Sequence, residues 1–123
     1  MRQNIIFLIL LSFVILSCKT DDDNLINTCN VTNPVENLTW LKEKIAELEQ
    51  TSLYESGEVY ISQANYNSNT IFILGNCCAT CNTVVPVFNC AGEVIGYGGD
   101  NNFNINTLKN SIIIWKPENS ICF

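Results

Sequence analysis

The polar and apolar positions follow two different periods, with the change near Gly57. Before it, Val35, Leu38, Leu41, Ile45 and Leu48 recur three or four residues apart. That spacing puts them on one face of a helix, with Lys42, Glu43, Glu47 and Glu49 turned toward water. Asn33-Pro34-Val35-Glu36 predicts the start. Asn33 can accept from the orphan amides, Pro34 suits the first helical position, and Glu36 can reach back as in a capping box. The helix should end between Gln50 and Gly57. Trp40 lies beside the stripe and reads as a core residue rather than a ligand contact, because large aromatics dominate cores.

Beyond Gly57 the chain turns to short runs of β-branched and aromatic residues separated by Asn and Gly. Glu58 to Tyr66, Thr70 to Asn76, Thr83 to Asn89, Glu93 to Tyr97 and Ser111 to Lys116 are the predicted strands. Asn67-Ser68-Asn69 and Ala91-Gly92 are turn-length connectors, so neighbouring strands should pair as an antiparallel meander. Pro86 implies an edge position or a bulge, since proline cannot donate to a ladder. Gly98 to Lys109 reads as a long polar loop with an irregular turn. The fold class expected is α+β: one N-terminal amphipathic helix packed on an antiparallel sheet of four to five strands. Cystatin-like folds are one example of that layering, but no inhibitory motif of a cystatin is present, so the likeness carries no function.

The start of the chain obeys neither period. After Met1-Arg2-Gln3-Asn4, Ile5 to Leu16 is apolar except for Ser12 and ends in Ile15-Leu16-Ser17-Cys18. A positive start, an apolar core and a small residue before cleavage are the parts of a secretory leader. The run is also shorter than the roughly 20 residues needed to span a bilayer. Ile15-Leu16-Ser17-Cys18 resembles the lipobox of bacterial lipoproteins. The resemblance implies cleavage before Cys18 and lipid attachment to it, with more than one acyl chain, which suffices for a stable anchor. Lys19-Thr20-Asp21-Asp22-Asp23 is similar to the acidic tag that sends Bacteroidetes and flavobacterial lipoproteins to the outer face of the outer membrane. The division expected is therefore a signal peptide over 1–17, a lipidated and acidic tether over 18–28, and one small domain over 29–123.

Charge narrows the partners. Twelve acidic residues against six Lys and Arg give a net charge of −6. Nucleic acid demands a basic footprint, and anionic lipid head groups would repel the chain without a covalent anchor. Of seven cysteines, lipidation of Cys18 leaves Cys29, Cys77, Cys78, Cys81, Cys90 and Cys122, which can all pair. In a small exported domain they read as a disulfide framework whose connectivity the sequence does not choose. Cys29 and Cys122 lie near the two ends of the domain, so a bridge between them, or from each to the central cluster, would tie those ends down.

Cys78-Ala79-Thr80-Cys81 follows the apolar run Ile71-Phe72-Ile73-Leu74 and precedes Pro86, the order of a thioredoxin-like active site. There Cys78 would be the nucleophilic thiolate and Cys81 the resolving thiol. The motif departs from that family where the helix should be: Thr83-Val84-Val85-Pro86-Val87 is β-branched and offers no helix dipole to acidify Cys78. Too little chain follows Cys81 to complete that fold, and Cys77 adds a competing thiol. Structural pairing is the expectation, with thiol-disulfide exchange at Cys78 and Cys81 as the alternative.

Other chemistry is thinner. Cys77, Cys78, Cys81 and Cys90 have the ligand number of a zinc site, but exported cysteines oxidise first. Histidine is absent from the chain, which removes the commonest general base. Asp100, Asn102, Asn104 and Asn106 alternate like the opening of a calcium loop, but Ile105 and Ser111 stand where glycine and glutamate are required. Glu43 and Glu47 share a solvated helix face instead of a cleft. No motif calls for a cofactor or a metal. The leader, the Asn33-Pro34 helix, the cysteine-bearing strands and the Gly98-Gly99 loop together resemble small Bacteroidetes lipoproteins of uncharacterised function, a likeness that brings no catalytic residue. The function expected is a non-enzymatic, surface-anchored module that binds an extracellular protein or glycan, with Tyr97, Gly98, Gly99 and Asp100 as its candidate contact loop and the Cys77 to Cys81 turn as a second contact surface.

Overall fold

The computed structural model describes residues 27–101 and 103–123. The expected helix is preceded by a small hairpin, β1 (Asn27–Thr28) and β2 (Val31–Thr32), which takes in two residues assigned from sequence to the tether. Its two-residue loop, Cys29-Asn30, has φ of 55° and 62°, the left-handed geometry of a type I′ turn.

The helical region is three segments in place of one: α1 (Pro34–Asn37), α2 (Thr39–Leu48) and α3 (Ser52–Glu55). The capping box does not form. Asn33 is left-handed, at φ 49°, and its side chain caps nothing. Its main-chain carbonyl accepts from the Glu36 and Asn37 amides instead, and the Asn37 side chain donates to the Thr32 carbonyl. Leu38 is extended and separates α1 from α2, while Thr51 caps α3 by accepting from the Tyr54 amide. The stripe itself holds: Leu41, Ile45 and Leu48 are buried.

The main sheet has five antiparallel strands, β3 (Val59–Tyr66), β4 (Asn69–Asn76), β5 (Val85–Phe88), β6 (Val94–Gly98) and β7 (Lys109–Trp115), in the order β6-β5-β4-β3-β7. Four strands run as a meander, and β7 returns to the far side of β3. The β3–β4 turn is two residues, Asn67-Ser68, with φ of 48° and 64°. Pro86 lies in an interior strand, which the edge expectation did not foresee. It is tolerated because β4 pairs with β5 only at Phe88 and Val87, so Pro86 faces no β4 partner, and a bulge follows it on the β6 side.

Two hydrophobic clusters lie on opposite faces, as the alternation of strand side chains requires. Leu41, Ile45 and Leu48 of α2 meet Val59, Ile61, Phe72 and Phe88 in one. Ala64, Ile71, Ile73, Val87 and Phe103 make the other, with Phe103 supplied by the connection between β6 and β7. That connection contains one 3-10 turn, Ile105–Thr107.

Three disulfides staple the fold: Cys29 to Cys90, Cys77 to Cys122 and Cys78 to Cys81. Each cysteine near a domain end is thus joined to the central set, and Cys29 and Cys122 do not join each other. The sequence separations of 61 and 45 for the first two correspond to about 4 kcal/mol each in the chain-entropy account, against about 2 kcal/mol for the separation of 3. At the C-terminus the Ile121 amide donates to the Gly57 carbonyl, and the Asn119 side chain donates to Glu55. Gly57 has φ +74° and lies so close to Asn119 that a side chain there would collide with the main chain.

Candidate functional site

The sequence-predicted sites fall in separate parts of the molecule. Cys18 and the acidic tag lie outside the described residues. Tyr97 and Gly98 belong to the edge strand β6 and not to a loop, which begins only at Gly99. The Asp100 amide turns back onto the Tyr97 carbonyl, and Tyr97 remains 44% exposed. Asp100 and Asn104 stand on either side of Phe103, and among the described residues no cluster of acidic, cysteine or histidine side chains can hold a metal. The four sulfurs that a zinc site would need are all committed to disulfides.

Cys78 and Cys81 are paired with each other in the irregular segment between β4 and β5. The Cys81 amide donates to the Cys78 carbonyl, and the Cys78 amide to the Asn76 side chain. Asn76 in turn donates to Thr83 at 2.6 Å. Thr80 lies 3.9 Å from the Cys78 sulfur. Cys81 is exposed and Cys78 half-buried. No helix begins here, and among the described residues no charged side chain bonds to either cysteine.

A cleft not anticipated from the sequence lies at the other end of β4. The β4–β5 ladder has two pairs, Phe72 with Phe88 and Ile73 with Val87. Continued in register, it would set Ile71 against Asn89, Thr70 against Cys90 and Asn69 against Ala91. Those six residues instead line a cleft of about 620 Å³. The strands splay because β5 ends abruptly. The Asn89 side chain accepts from the Ala91 and Glu93 amides and donates to the Glu93 carboxylate, curling the chain out of the sheet. The Cys90 carbonyl is taken by the Trp40 indole at 2.9 Å. Gly92, at φ +80°, lies under the Trp40 ring, where a Cβ would come within 2.6 Å of it.

The N-terminal hairpin spans the gap. Thr28 is buried and shares a 2.8 Å hydrogen bond with the Thr70 hydroxyl, while Cys29 is bonded to Cys90. The remaining walls are Ile95, Phe103 and Tyr66, the last two with ring centroids 4.5 Å apart, and Asn67 stands at the rim. Apart from the Tyr66 phenol, no lining side chain can ionise, since Cys90 is oxidised.

A second groove, of about 380 Å³, opens along Tyr60, Ile73, Ile105, Leu108, Ile113 and Phe123. Phe123 lies edge-on to Tyr60 with centroids 5.1 Å apart and is 70% exposed. Only the turn-length connectors at Asn67-Ser68-Asn69 and Ala91-Gly92 marked the first cleft in the sequence. The splay itself depends on Trp40 and Cys29, remote in the chain. Among the described residues no helix is long and apolar enough to cross a membrane. Comparison with protein-family models, with curated proteins and with solved structures finds no match for this chain.

Proposed function

We propose that this chain is a lipid-anchored module of the outer membrane, displayed at the cell surface, which binds an extracellular protein or glycan and catalyses nothing. In this reading Cys18 carries the lipid, residues 19–26 act as an acidic tether, and α2 covers one sheet face so that the other is held out for contact. The observation that carries the reading is the uncharged cleft between β4 and β5, held in place by the hairpin and the Cys29–Cys90 bridge. Binding sites of this kind are concave, largely apolar and furnished with a few polar groups. Tyr97 to Asp100 offers a second contact region at the exposed edge. Two measurements test the proposal. Labelling of cells with an alkyne fatty acid should tag the wild-type chain and not Cys18→Ala, and protease added to intact cells should remove the domain. Unlabelled wild-type protein, or complete protection from protease, overturns the anchored, displayed reading.

A second reading is favoured by one specific observation, the mutual pairing of Cys78 and Cys81 with Cys81 exposed. A thiol-disulfide oxidoreductase would use Cys78 as nucleophile and Cys81 to resolve the mixed disulfide. A redox titration separates the two: opening near about −200 mV supports exchange chemistry, and resistance below about −300 mV supports a structural bond.

A further inference from the structure

We infer that the cleft between the splayed ends of β4 and β5 binds a neutral carbohydrate, an inference that rests on the binding-module reading and names its ligand class. Charge is the first reason. The chain carries twelve acidic residues, yet among the cleft's lining residues none bears a formal charge at neutral pH. An anionic or cationic ligand would shed water there without gaining an opposite charge, which disfavours both.

Hydrogen-bonding capacity is the second. The amide of Asn89 is consumed by its own turn. Among the described residues the Tyr66 hydroxyl, the Asn67 side-chain amide and the Asn69 Oδ1 have no hydrogen-bond partner, whereas Asn69 Nδ2 donates to the Asn67 carbonyl. The Asn67 amide both donates and accepts, and so does the Tyr66 hydroxyl, which matches ligand hydroxyls that do the same. Ile71, Ile95 and Phe103 add apolar surface to the same cleft. A sugar ring has this same division between a C–H face and a hydroxylated edge. A fatty chain would leave the amides unpaired and gains nothing from them.

Rigidity is the third. Asn67 sits in a two-residue turn, Thr70 is held by Thr28, and Cys90 is cross-linked to Cys29. Weak individual contacts to a sugar then meet little ordering cost on binding. The volume of about 620 Å³ lies within the usual range for small-ligand sites.

The test uses the full chain, a panel of glucose, galactose, mannose, N-acetylglucosamine and their disaccharides, and a matched panel of sialylated and uronate-bearing sugars. Amide shift mapping reads the site and titration reads the affinity. The expected result is binding of one or more neutral sugars only, with shifts at Tyr66, Asn67, Asn69 and Ile95. Ile95→Arg, at a position 46% exposed, should fill the cleft and weaken binding at least about tenfold without unfolding the chain. Tyr66→Phe, which keeps the ring on Phe103, should weaken it about threefold to tenfold. Val84→Ala, at an exposed position that does not line the cleft, should leave it unchanged. Binding of acidic sugars alone, absence of sugar binding, or binding indifferent to Ile95→Arg overturns the inference. If sugars fail but a cell-surface protein is bound through Tyr97 or Asp100, the binding-module reading stands and the carbohydrate falls. If neither is bound, both fall.

Discussion

On the face under α2, Val59, Ile61, Phe72 and Phe88 are sealed by Leu41, Ile45 and Leu48, and Trp40 packs edge-on to Phe72 with centroids 5.4 Å apart. On the opposite face, Ala64, Ile71, Ile73 and Val87 meet Phe103 and the partly buried Tyr66, Val85 and Leu108. Both clefts open on that second side, and Ile95, Ile105 and Ile113 remain between 37% and 46% exposed there. A helix contributes a continuous stripe, whereas a polar connection contributes single side chains, so the two faces cannot be closed to the same degree. In so small a domain, stability therefore has to come largely from the helix face and the disulfides, and the proposed binding reading assigns recognition to the other face.

The comparison predicts unequal costs. Phe72→Ala, at a side chain with no exposure, should lose about 4 kcal/mol, close to the whole stability expected of such a domain. Removing the Cys29–Cys90 bridge by paired substitution to alanine should cost about as much, near 4 kcal/mol, and should also loosen the cleft. Phe103→Ala on the open face should cost about 3 kcal/mol, since its loop can relax into the space left. Denaturant unfolding of the oxidised proteins measures all three. If Phe103→Ala proves as damaging as Phe72→Ala, the second face is as much a core as the first.

The local Cys78–Cys81 bridge sharpens the contrast between stapling and function. Cys78→Ala with Cys81→Ala should cost about 2 kcal/mol or less, because the bridge closes so short a loop. A loss as large as that of the Cys29–Cys90 pair would mark it as structural and weaken the oxidoreductase reading.

Much of this architecture was legible in the sequence, where local physics settles it. The five strands follow from β-branched alternation, and the buried face of α2 from the spacing of Leu41, Ile45 and Leu48. What escaped reading depends on distant partners. Asn33 looked like a side-chain cap, yet it adopts left-handed backbone because the hairpin before it fixes the entry of the chain. That hairpin has two-residue strands, too short for any periodicity to register. β7 pairs with β3 from far along the chain, and the cleft is held by remote residues, with the Trp40 indole on the Cys90 carbonyl and Cys29 bonded to Cys90. The strand predicted to end at Tyr97 runs one residue further, because pairing with Val85 holds Gly98 extended.

The smallest effect bears on how completely the helix face is closed. Gln63 pairs across the sheet with Phe72 and Ile112, and its Oε1 is buried without a hydrogen-bond partner. An unsatisfied buried acceptor costs about 1 kcal/mol or more, whereas an apolar side chain of the same length adds packing at no such penalty. Gln63→Met should therefore raise stability by about 1 kcal/mol, visible as a higher denaturation midpoint at unchanged slope. The gain belongs to the helix face alone and should leave ligand affinity at the open face untouched, because Gln63 lines neither cleft. If stability rises and sugar affinity moves with it, the two faces are coupled through β3 and β4, and the division between a holding side and a recognising side fails.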